Sequence, residues 1–311
     1  MSDIQFSKFM KDLIVLMENK KLSDTTIKNY IRRLYILNGK KKFSSLTFLR
    51  KHEDIIKYLK ENYSVGTQKS YAGTILSVLK LKPSKINNKL SDIYNSFIND
   101  EDIEKYNKTK TEKSEKQEQN WISQEEVMKV KSELEKQALS IYKKPSLSIK
   151  EYNTLLQNAL LSFYTNLPPR RAADYALMKF SNDTGDKKFN YFTDKDKLIF
   201  HNYKTSKTYG TQEQDISKNK SLLKDLKMYL KHRKPSKTDL LFVKANGVDF
   251  NTINDITRTM NSIFGKKIST NMLRSIYVSD KYGELKQGMI EDAEKMGHSV
   301  DTQQNQYNKG K

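Results

Sequence analysis

The stretch from Lys105 to Asn120, KYNKTKTEKSEKQEQN, divides the 311-residue chain into a shorter first part and a longer second part. Apart from one tyrosine, it consists of charged residues interspersed with Thr, Ser, Gln and Asn. Such a segment buries too little apolar surface to form a core, so the sequence predicts a flexible linker there. Just beyond it, Ser123 and Glu126 have the spacing of a helix capping box. We therefore expect two domains, at 1–104 and 121–311.

The first part is predicted to be all-helical, because its apolar residues recur with the spacing of one helix face. Five short helices are expected. Their outer faces carry Lys28, Arg32, Arg33 and Lys69, which suit contact with DNA phosphates, although an ordinary solvated face has the same composition. The apolar positions are Phe6, Met10, Leu13 and Met17, then Ile27, Tyr30, Ile31, Leu34 and Leu37, then Ile55, Ile56 and Leu59, then Tyr71, Ile75, Val78 and Leu79, and finally Leu90, Ile93, Tyr94 and Phe97.

The second part is predicted to be an α+β domain with a small antiparallel sheet, which makes the whole chain mainly α. Three short strands are expected at Phe189–Phe192, Lys197–Tyr203 and Gly210–Ile216, with residues 205–209 as a basic hairpin tip. A strongly apolar helix ends before Leu167-Pro168-Pro169. Further helices are expected around 222–230, 251–264, 271–282 and 285–296.

The composition narrows the possible partners. The chain carries 57 Lys and Arg against 37 Asp and Glu, a formal net charge of +20. This charge favours a polyanion, nucleic acid first, although a lysine-rich composition is also typical of AT-rich genomes. The chain has no cysteine, which excludes disulfides and thiolate zinc sites, and its four histidines are scattered, so no metal site is expected.

No apolar run reaches the roughly 20 residues of a membrane span, and the N-terminus lacks the pattern of a signal peptide. We therefore expect an intracellular protein that is not secreted.

Two of the motifs that carry chemistry come early in the second part. The sequence Pro-Pro-Arg-Arg at 168–171 follows the apolar helix, and Asp174 lies three residues after Arg171. The predicted hairpin then supplies two lysines, Lys204 and Lys207.

Two more motifs come near the end of the chain. Asn271-Met272-Leu273-Arg274 stands at a predicted helix start. Gly297-His298 follows, and Tyr307 lies nine residues after the histidine.

In this order and at these separations, the four motifs resemble the tyrosine recombinases, the lambda-type phage integrase family. The resemblance covers the whole chain, because those enzymes have a helical core-binding domain before the catalytic domain. The Pro-Pro-Arg-Arg form is similar to integrases of large DNA viruses and their mobile elements. The resemblance implies a site-specific recombinase that cleaves and rejoins DNA strands through a 3′-phosphotyrosyl intermediate. It further implies double-stranded DNA as partner and self-association as a tetramer on DNA, with no cofactor, no metal, no membrane and no small-molecule substrate. Such a protein is expected to act where its DNA lies, in a bacterial or host cytoplasm, a viral factory or a nucleus.

The resemblance also implies roles for the residues that meet the phosphate. Tyr307 is the expected nucleophile, because a phenol can attack phosphorus and leave again. Arg171 and Arg274 are expected to bind the nonbridging oxygens, where charge builds in the transition state. His298 is expected to hydrogen-bond the phosphate or to assist proton movement.

The remaining roles leave a choice between neighbours. Lys204 is expected to protonate the departing 5′ oxygen, and Lys207 is the second choice. Arg170 is the second choice for the first arginine. Asp174 is expected to orient Arg171 rather than to act as an acid or base.

One position departs from the family pattern. Asn271 stands where the family has a histidine, and an amide can donate a hydrogen bond but cannot titrate. Proton abstraction from Tyr307 therefore stays open. Two alternatives remain: a type IB topoisomerase-like enzyme that uses the same chemistry as a monomer, and a catalytically inactive DNA-binding relative.

Overall fold

The structure is a computed structural model that describes residues 6–99, 103, 105, 106 and 112–304. Internal contacts divide the chain into two compact units, Met1–Ser114 and Glu115–Lys311. Each unit has its own apolar core.

Residues 6–99 of the first unit form five α-helices and one turn of 3-10 helix around a shared core. The side chains of Ser7, Ser23 and Ser84 each accept a hydrogen bond from a backbone N–H in the first helical turn, which fixes three of the helix starts. All five predicted helices are present. Their bounds are α1 (Lys8–Asn19), α2 (Asp24–Leu37), the 3-10 turn (Thr47–Arg50), α3 (His52–Asn62), α4 (Val65–Leu81) and α5 (Lys85–Ile98).

The second unit combines a helical body with one small sheet. Capping boxes begin three of its helices, at Ser123–Glu126, Ser148–Glu151 and Thr252–Asp255, and the first of these agrees with the sequence prediction. The bounds are α6 (Glu115–Asn120), α7 (Gln124–Ile141), α8 (Ile149–Thr165), α9 (Ala172–Ala176), β1 (Met178–Phe180), β2 (Asn190–Phe192), β3 (Lys197–Phe200), α10 (Ser206–Tyr209), β4 (Gln212–Asp215), α11 (Lys220–Leu230), α12 (Ile253–Phe264), α13 (Thr270–Lys295) and α14 (Val300–Thr302).

The predicted linker contains a helix in its second half. Helix α6 occupies 115–120, and the Asn120 side-chain oxygen accepts a hydrogen bond from the Lys267 backbone at 2.9 Å. This bond ties a polar segment to the second unit without burying apolar surface. Residues 107–111 lie outside the described residues, and the extent of the linker stays a prediction.

The sheet has the order β1-β2-β3-β4. The pairs β2–β3 and β3–β4 are antiparallel, as the sequence predicts, but β1 pairs with β2 in parallel, with Met178 opposite Asn190. The sheet is therefore mixed rather than purely antiparallel. The sequence does not reveal β1, because a strand of three residues is too short to show an alternation of apolar and polar positions. The predicted hairpin tip also contains one helical turn, α10. The fold class is confirmed: a mainly helical chain with one small sheet.

Helix α13 differs from its prediction. The sequence predicts separate helices at 271–282 and 285–296, whereas the structure has one helix of 26 residues. Gly283 and Gly288 lie inside it, and nothing lies within 4 Å of a side chain added at either. A glycine weakens a helix by about 1 kcal/mol but does not end it without a competing turn.

A buried ion pair anchors the end of α8. Asp225 of α11 is fully buried and accepts hydrogen bonds from Lys131 and Asn158, each at 2.8 Å, and from the Ser162 hydroxyl. Asn166, which ends α8, donates to the Ser162 hydroxyl at 2.8 Å. A buried carboxylate is tolerated only when it is paired and hydrogen-bonded. The network therefore fixes the last turn of α8 and the starting point of the segment that follows it.

Candidate functional site

The segment 167–171, here called the arginine turn, connects α8 to the short helix α9. Two prolines follow Leu167, and the residue before a proline favours an extended backbone, which ends α8. Arg171 is the residue before the first turn of α9 and has extended backbone angles, φ −71° and ψ 150°. Its side chain is half-buried, and no described residue hydrogen-bonds its guanidinium.

Arg170 has a different environment from its neighbour. Its Nε donates to Asp174 Oδ2 at 2.9 Å, and its Nη1 donates to Gln212 Oε1 at 2.9 Å. The guanidinium also lies over the Phe200 ring at 3.8 Å and over the Tyr203 ring at 5.1 Å. Arg170 is therefore committed to contacts within the protein.

The partner of Asp174 differs from the sequence prediction. Asp174 is expected to orient Arg171, but its ion pair is with Arg170. Burial raises the pKa of the Asp174 carboxyl above its usual value, and the positive charges of Arg170, Arg171 and Arg274 oppose this rise. Arg170 lies four residues before Asp174, just ahead of the residue that caps α9, and from there its side chain reaches the Asp174 carboxylate.

Two buried tyrosines lie near Asp174. Tyr164 of α8 and Tyr175 of α9 are buried, with their ring centroids 5.5 Å apart. Burial raises the pKa of both hydroxyls, and the negative charge of Asp174 adds to the rise. Both phenols are therefore neutral, and the charge of the site comes from its arginines and one carboxylate.

The third motif lies in the first turns of α13. The Ser269 side chain accepts a hydrogen bond from the Met272 backbone and begins the helix. Arg274 is half-buried, its Nε donates to the Pro169 carbonyl at 3.2 Å, and its Nη1 lies 3.4 Å from Asn271 Oδ1. Asn271 itself is exposed. Because Pro169 directly precedes the two arginines, the structure brings the first and third motifs together.

The hairpin between β3 and β4 contacts the arginine turn through Phe200 and Gln212, which both touch Arg170. Lys204 and Lys207 are both exposed, and both lie between the end of β3 and the start of β4. The Tyr203 hydroxyl donates to the Gly210 carbonyl at 2.7 Å, which closes the loop across its base. Because both lysines are exposed in the same short loop, the choice between them stays a prediction.

Asn190 ties the hairpin to α9 and is the residue that sequence reasoning misses most clearly. Its Nδ2 donates to the carbonyls of Asp174 at 2.6 Å and Asn202 at 3.0 Å, and its Oδ1 accepts from the Asn202 backbone at 2.8 Å. It is completely buried in β2. The only signal in the sequence is an amide placed between aromatic residues of a predicted strand.

His298 is not brought to the arginines. The His298 backbone donates to the Ala293 carbonyl at 3.0 Å, and Gly297 takes a positive φ of 73°, which ends α13. Arg274 and Lys295 lie in the same helix, and at about 1.5 Å per residue roughly 30 Å of helix separates them. Tyr307 lies outside the described residues.

The predicted DNA contacts of the first unit divide in two. Lys28 and Arg32 are exposed, and Lys69 is half-buried. Arg33 instead bridges α2 and α4: its Nη1 donates to the Ser70 carbonyl at 3.0 Å and to the Thr74 hydroxyl at 2.9 Å. Arg33 is half-buried and contacts a neighbouring helix of its own unit, which differs from the outward role that the helix face predicts.

Within the described part of the chain, no helix combines the length and apolarity that a bilayer crossing requires. The described residues also contain no group of three or more His, Cys, Asp or Glu side chains arranged as metal ligands.

Comparisons with known proteins place few constraints on this chain. Neither the protein-family models nor the curated proteins give a match. Among solved structures, the chain is similar to the crystal structure of XerA recombinase, with 18% identity and a TM-score of 0.33 over 96% of this chain and 92% of that one. A similarity of this size carries no functional argument, which rests instead on the side chains of the site.

Proposed function

We propose that the chain is a DNA strand transesterase of the tyrosine recombinase type. The observation that carries the proposal is the hydrogen bond from Arg274 to the Pro169 carbonyl, which joins residues 105 positions apart in sequence. It supports a site in which two arginine-bearing motifs serve one phosphate. The combined charge of three arginines around one carboxylate favours an anion at this place.

The proposed reaction follows from the chemistry of these groups. Arg171 and Arg274 bind the nonbridging oxygens of one DNA phosphate, where negative charge builds in the transition state. The phenolic oxygen of Tyr307 attacks the phosphorus and gives up its proton to His298 or to water, and the bond to the 5′ oxygen breaks. Lys204 donates the proton that the 5′ oxygen takes up. The products are a 3′-phosphotyrosyl link and a free 5′ hydroxyl, and the reverse steps rejoin the strand.

This reaction requires two residues from the last part of the sequence to come close to the arginines. His298 and Tyr307 must reach the arginines, although α13 runs unbroken from Arg274 to Lys295. Either α13 bends within its exposed part or these residues serve the site of a second copy. Both possibilities agree with the finer proposal, a tetrameric site-specific recombinase that acts on double-stranded DNA inside the cell.

The second candidate is a DNA-binding protein that does not cleave. The observation that favours it is the distance of His298 from the arginine turn along α13. In this candidate the charged surfaces still bind DNA, but no covalent link to Tyr307 forms.

A covalent-capture experiment separates the two candidates without knowledge of the target sequence. The full chain is mixed with nicked duplexes of randomised sequence in excess EDTA and then denatured, and DNA that stays attached to protein is sequenced. We expect an adduct mapped by peptide analysis to Tyr307, a shared sequence among the captured duplexes, and no adduct from Tyr307→Phe. Duplex binding without any adduct would establish the second candidate, and an adduct that forms only with added Mg²⁺ would contradict the mechanism.

A further inference from the structure

We propose that Arg170 is a positioning residue that holds the arginine turn and the lysine hairpin in one fixed geometry, and that it does not bind the phosphate. The inference rests on the proposed function, since it assigns a role within the same site. It separates two adjacent arginines that the sequence leaves as alternatives.

The first step of the argument is that the Arg170 guanidinium is already occupied. Its Nε donates to Asp174 and its Nη1 donates to Gln212, both at 2.9 Å, so each of the two edges of the fork has one nitrogen in use. One face lies on the Phe200 ring at 3.8 Å. A phosphate bound bidentately needs two N–H groups on one edge of the fork, and Arg170 would have to break these contacts to offer them.

The second step concerns where these contacts lie. Phe200 is the last residue of β3 and Gln212 is the first residue of β4. Lys204 and Lys207 lie between them, so Arg170 holds both ends of the hairpin that carries the proposed general acid. Arg170 is also covalently joined to Arg171, the proposed phosphate ligand.

The third step explains why the residue is an arginine. Only a planar guanidinium can pair with a carboxylate, donate to an amide oxygen and stack on a ring at the same time. A lysine at this position keeps the positive charge but offers a single point of contact. Arg170→Lys therefore removes the geometry and keeps most of the electrostatics.

The charged and titratable groups that face Asp174 decide how pH enters the test. They are Arg170 and Arg171 from the arginine turn, Arg274 from α13, Tyr164 from α8 and the neighbouring Tyr175. Loss of the Arg170 charge leaves a buried carboxyl with less compensation, so its pKa rises further and it takes up a proton at a higher pH.

The first experiment measures adduct formation by single-turnover capture on a duplex selected with the parent protein. We expect Arg170→Lys to lower the rate about 100-fold, because a small displacement of reacting groups has an effect of that order, while the affinity for duplex DNA stays within about twofold. Arg233→Lys is the matched control. Arg233 also donates to backbone carbonyls in this unit, those of Leu240 and Leu241, but it lies outside the site, and we expect the parent rate. A parent rate in Arg170→Lys would overturn the proposal.

The second experiment uses pH to exclude a merely structural effect. Arg170→Met removes the charge as well as the geometry, so its residual activity should fall at a higher pH than in the parent as the solution is acidified. Arg170→Lys should keep the pH profile of the parent at a lower rate. Identical pH profiles for the Met and Lys variants would contradict the assignment to Asp174.

A third measurement needs neither DNA nor activity. Amide hydrogen exchange across residues 201–211 should become faster in Arg170→Lys and in Gln212→Met, which cuts only the contact to β4, and should stay unchanged in Arg233→Lys. If Arg170→Lys does not fold, Gln212→Met decides the question through both exchange and adduct rate. If the parent forms no adduct at all, the proposed function fails, whereas unchanged exchange in both variants refutes the tie made by Arg170.

Discussion

The first two turns of helix α13 and the exposed stretch that follows them differ in packing, although both are helical. In its first two turns Met272, Leu273 and Ile276 are buried, and Arg274 reaches the arginine turn. From Val278 to Gly288 every residue is exposed, including Leu285 at 64%. Tertiary packing fixes the first two turns, whereas the exposed stretch from Val278 to Gly288 buries no side chain and depends on its own helical hydrogen bonds. Burial returns only beyond this stretch, where Ala293 is 2% exposed. The difference teaches that packing holds Arg274 against the arginine turn, whereas His298 lies beyond a stretch of helix that packing does not hold.

The largest expected difference between the packed and the exposed parts of α13 is in their contribution to stability. Leu273 is 3% exposed, so Leu273→Ala should lower the free energy of unfolding by about 2–5 kcal/mol. Leu285→Ala removes the same atoms from the exposed end and should change it by less than about 0.5 kcal/mol. Urea denaturation of the full chain measures both. Equal losses of unfolding free energy in the two variants would mean that Leu285 is buried in solution, and the two parts of α13 would then not differ in packing.

Charge gives the next test. Arg274→Gln loses both the positive charge and the bond to the Pro169 carbonyl, and the rate of adduct formation should fall about 100-fold or more. Lys286→Gln makes the equivalent change of charge on the exposed end of α13, and we expect a rate within about twofold of the parent. Single-turnover capture provides the rates. Similar losses for the two variants would indicate a general effect of charge on DNA binding.

Asn271 tests how far the built end extends. It lies 3.4 Å from Arg274 Nη1 and offers an exposed amide beside the proposed phosphate. Asn271→Ala should lower the adduct rate by up to about 100-fold, because a lost donor near developing charge has an effect of that order. Asn271→His keeps a donor and should preserve or raise the rate. An alanine variant as fast as the parent would place the phosphate away from this helix start.

The smallest expected effect concerns the helix itself. If α13 must bend to deliver His298, Gly283→Ala should slow adduct formation about fivefold, since alanine stabilises a helix by about 1 kcal/mol relative to glycine. Gly73→Ala in α4 is the matched control, because nothing lies within 4 Å of the added side chain at either position. Circular dichroism checks that both variants keep the helix content of the parent. An unchanged rate in Gly283→Ala would favour delivery of His298 to a second copy over bending.

The sequence predicts most of the fold, because amphipathic spacing and capping boxes are local. The five helices of the first unit and the capping box at Ser123 agree with the structure. The parallel strand β1 is missed, because three residues carry no period and its partner lies beyond a loop. The break expected near Gly283 is absent, because a glycine permits a bend without requiring one.

The candidate site is only partly visible in the sequence. The order of the motifs points to Arg171, Arg274 and the hairpin lysines, but spacing alone cannot say which of two adjacent arginines is occupied by protein contacts. The ion pair of Asp174 depends on the position of Gln212 and Phe200, which come from the sheet. The position of His298 depends on whether a helix is continuous, which is a property of the whole segment rather than of the motif.

Asn190 gives a criterion by which other chains with this architecture can be recognised. Its amide donates to two carbonyls and its oxygen accepts from a backbone N–H. Aspartate at this position would set a carboxylate against two carbonyl oxygens, and glutamine would add a methylene in a site with no exposed surface. An alignment that seeks distant relatives should therefore weight this asparagine of β2 together with the arginine pair, since it identifies the hairpin anchor even where the loop between the strands differs in length and charge.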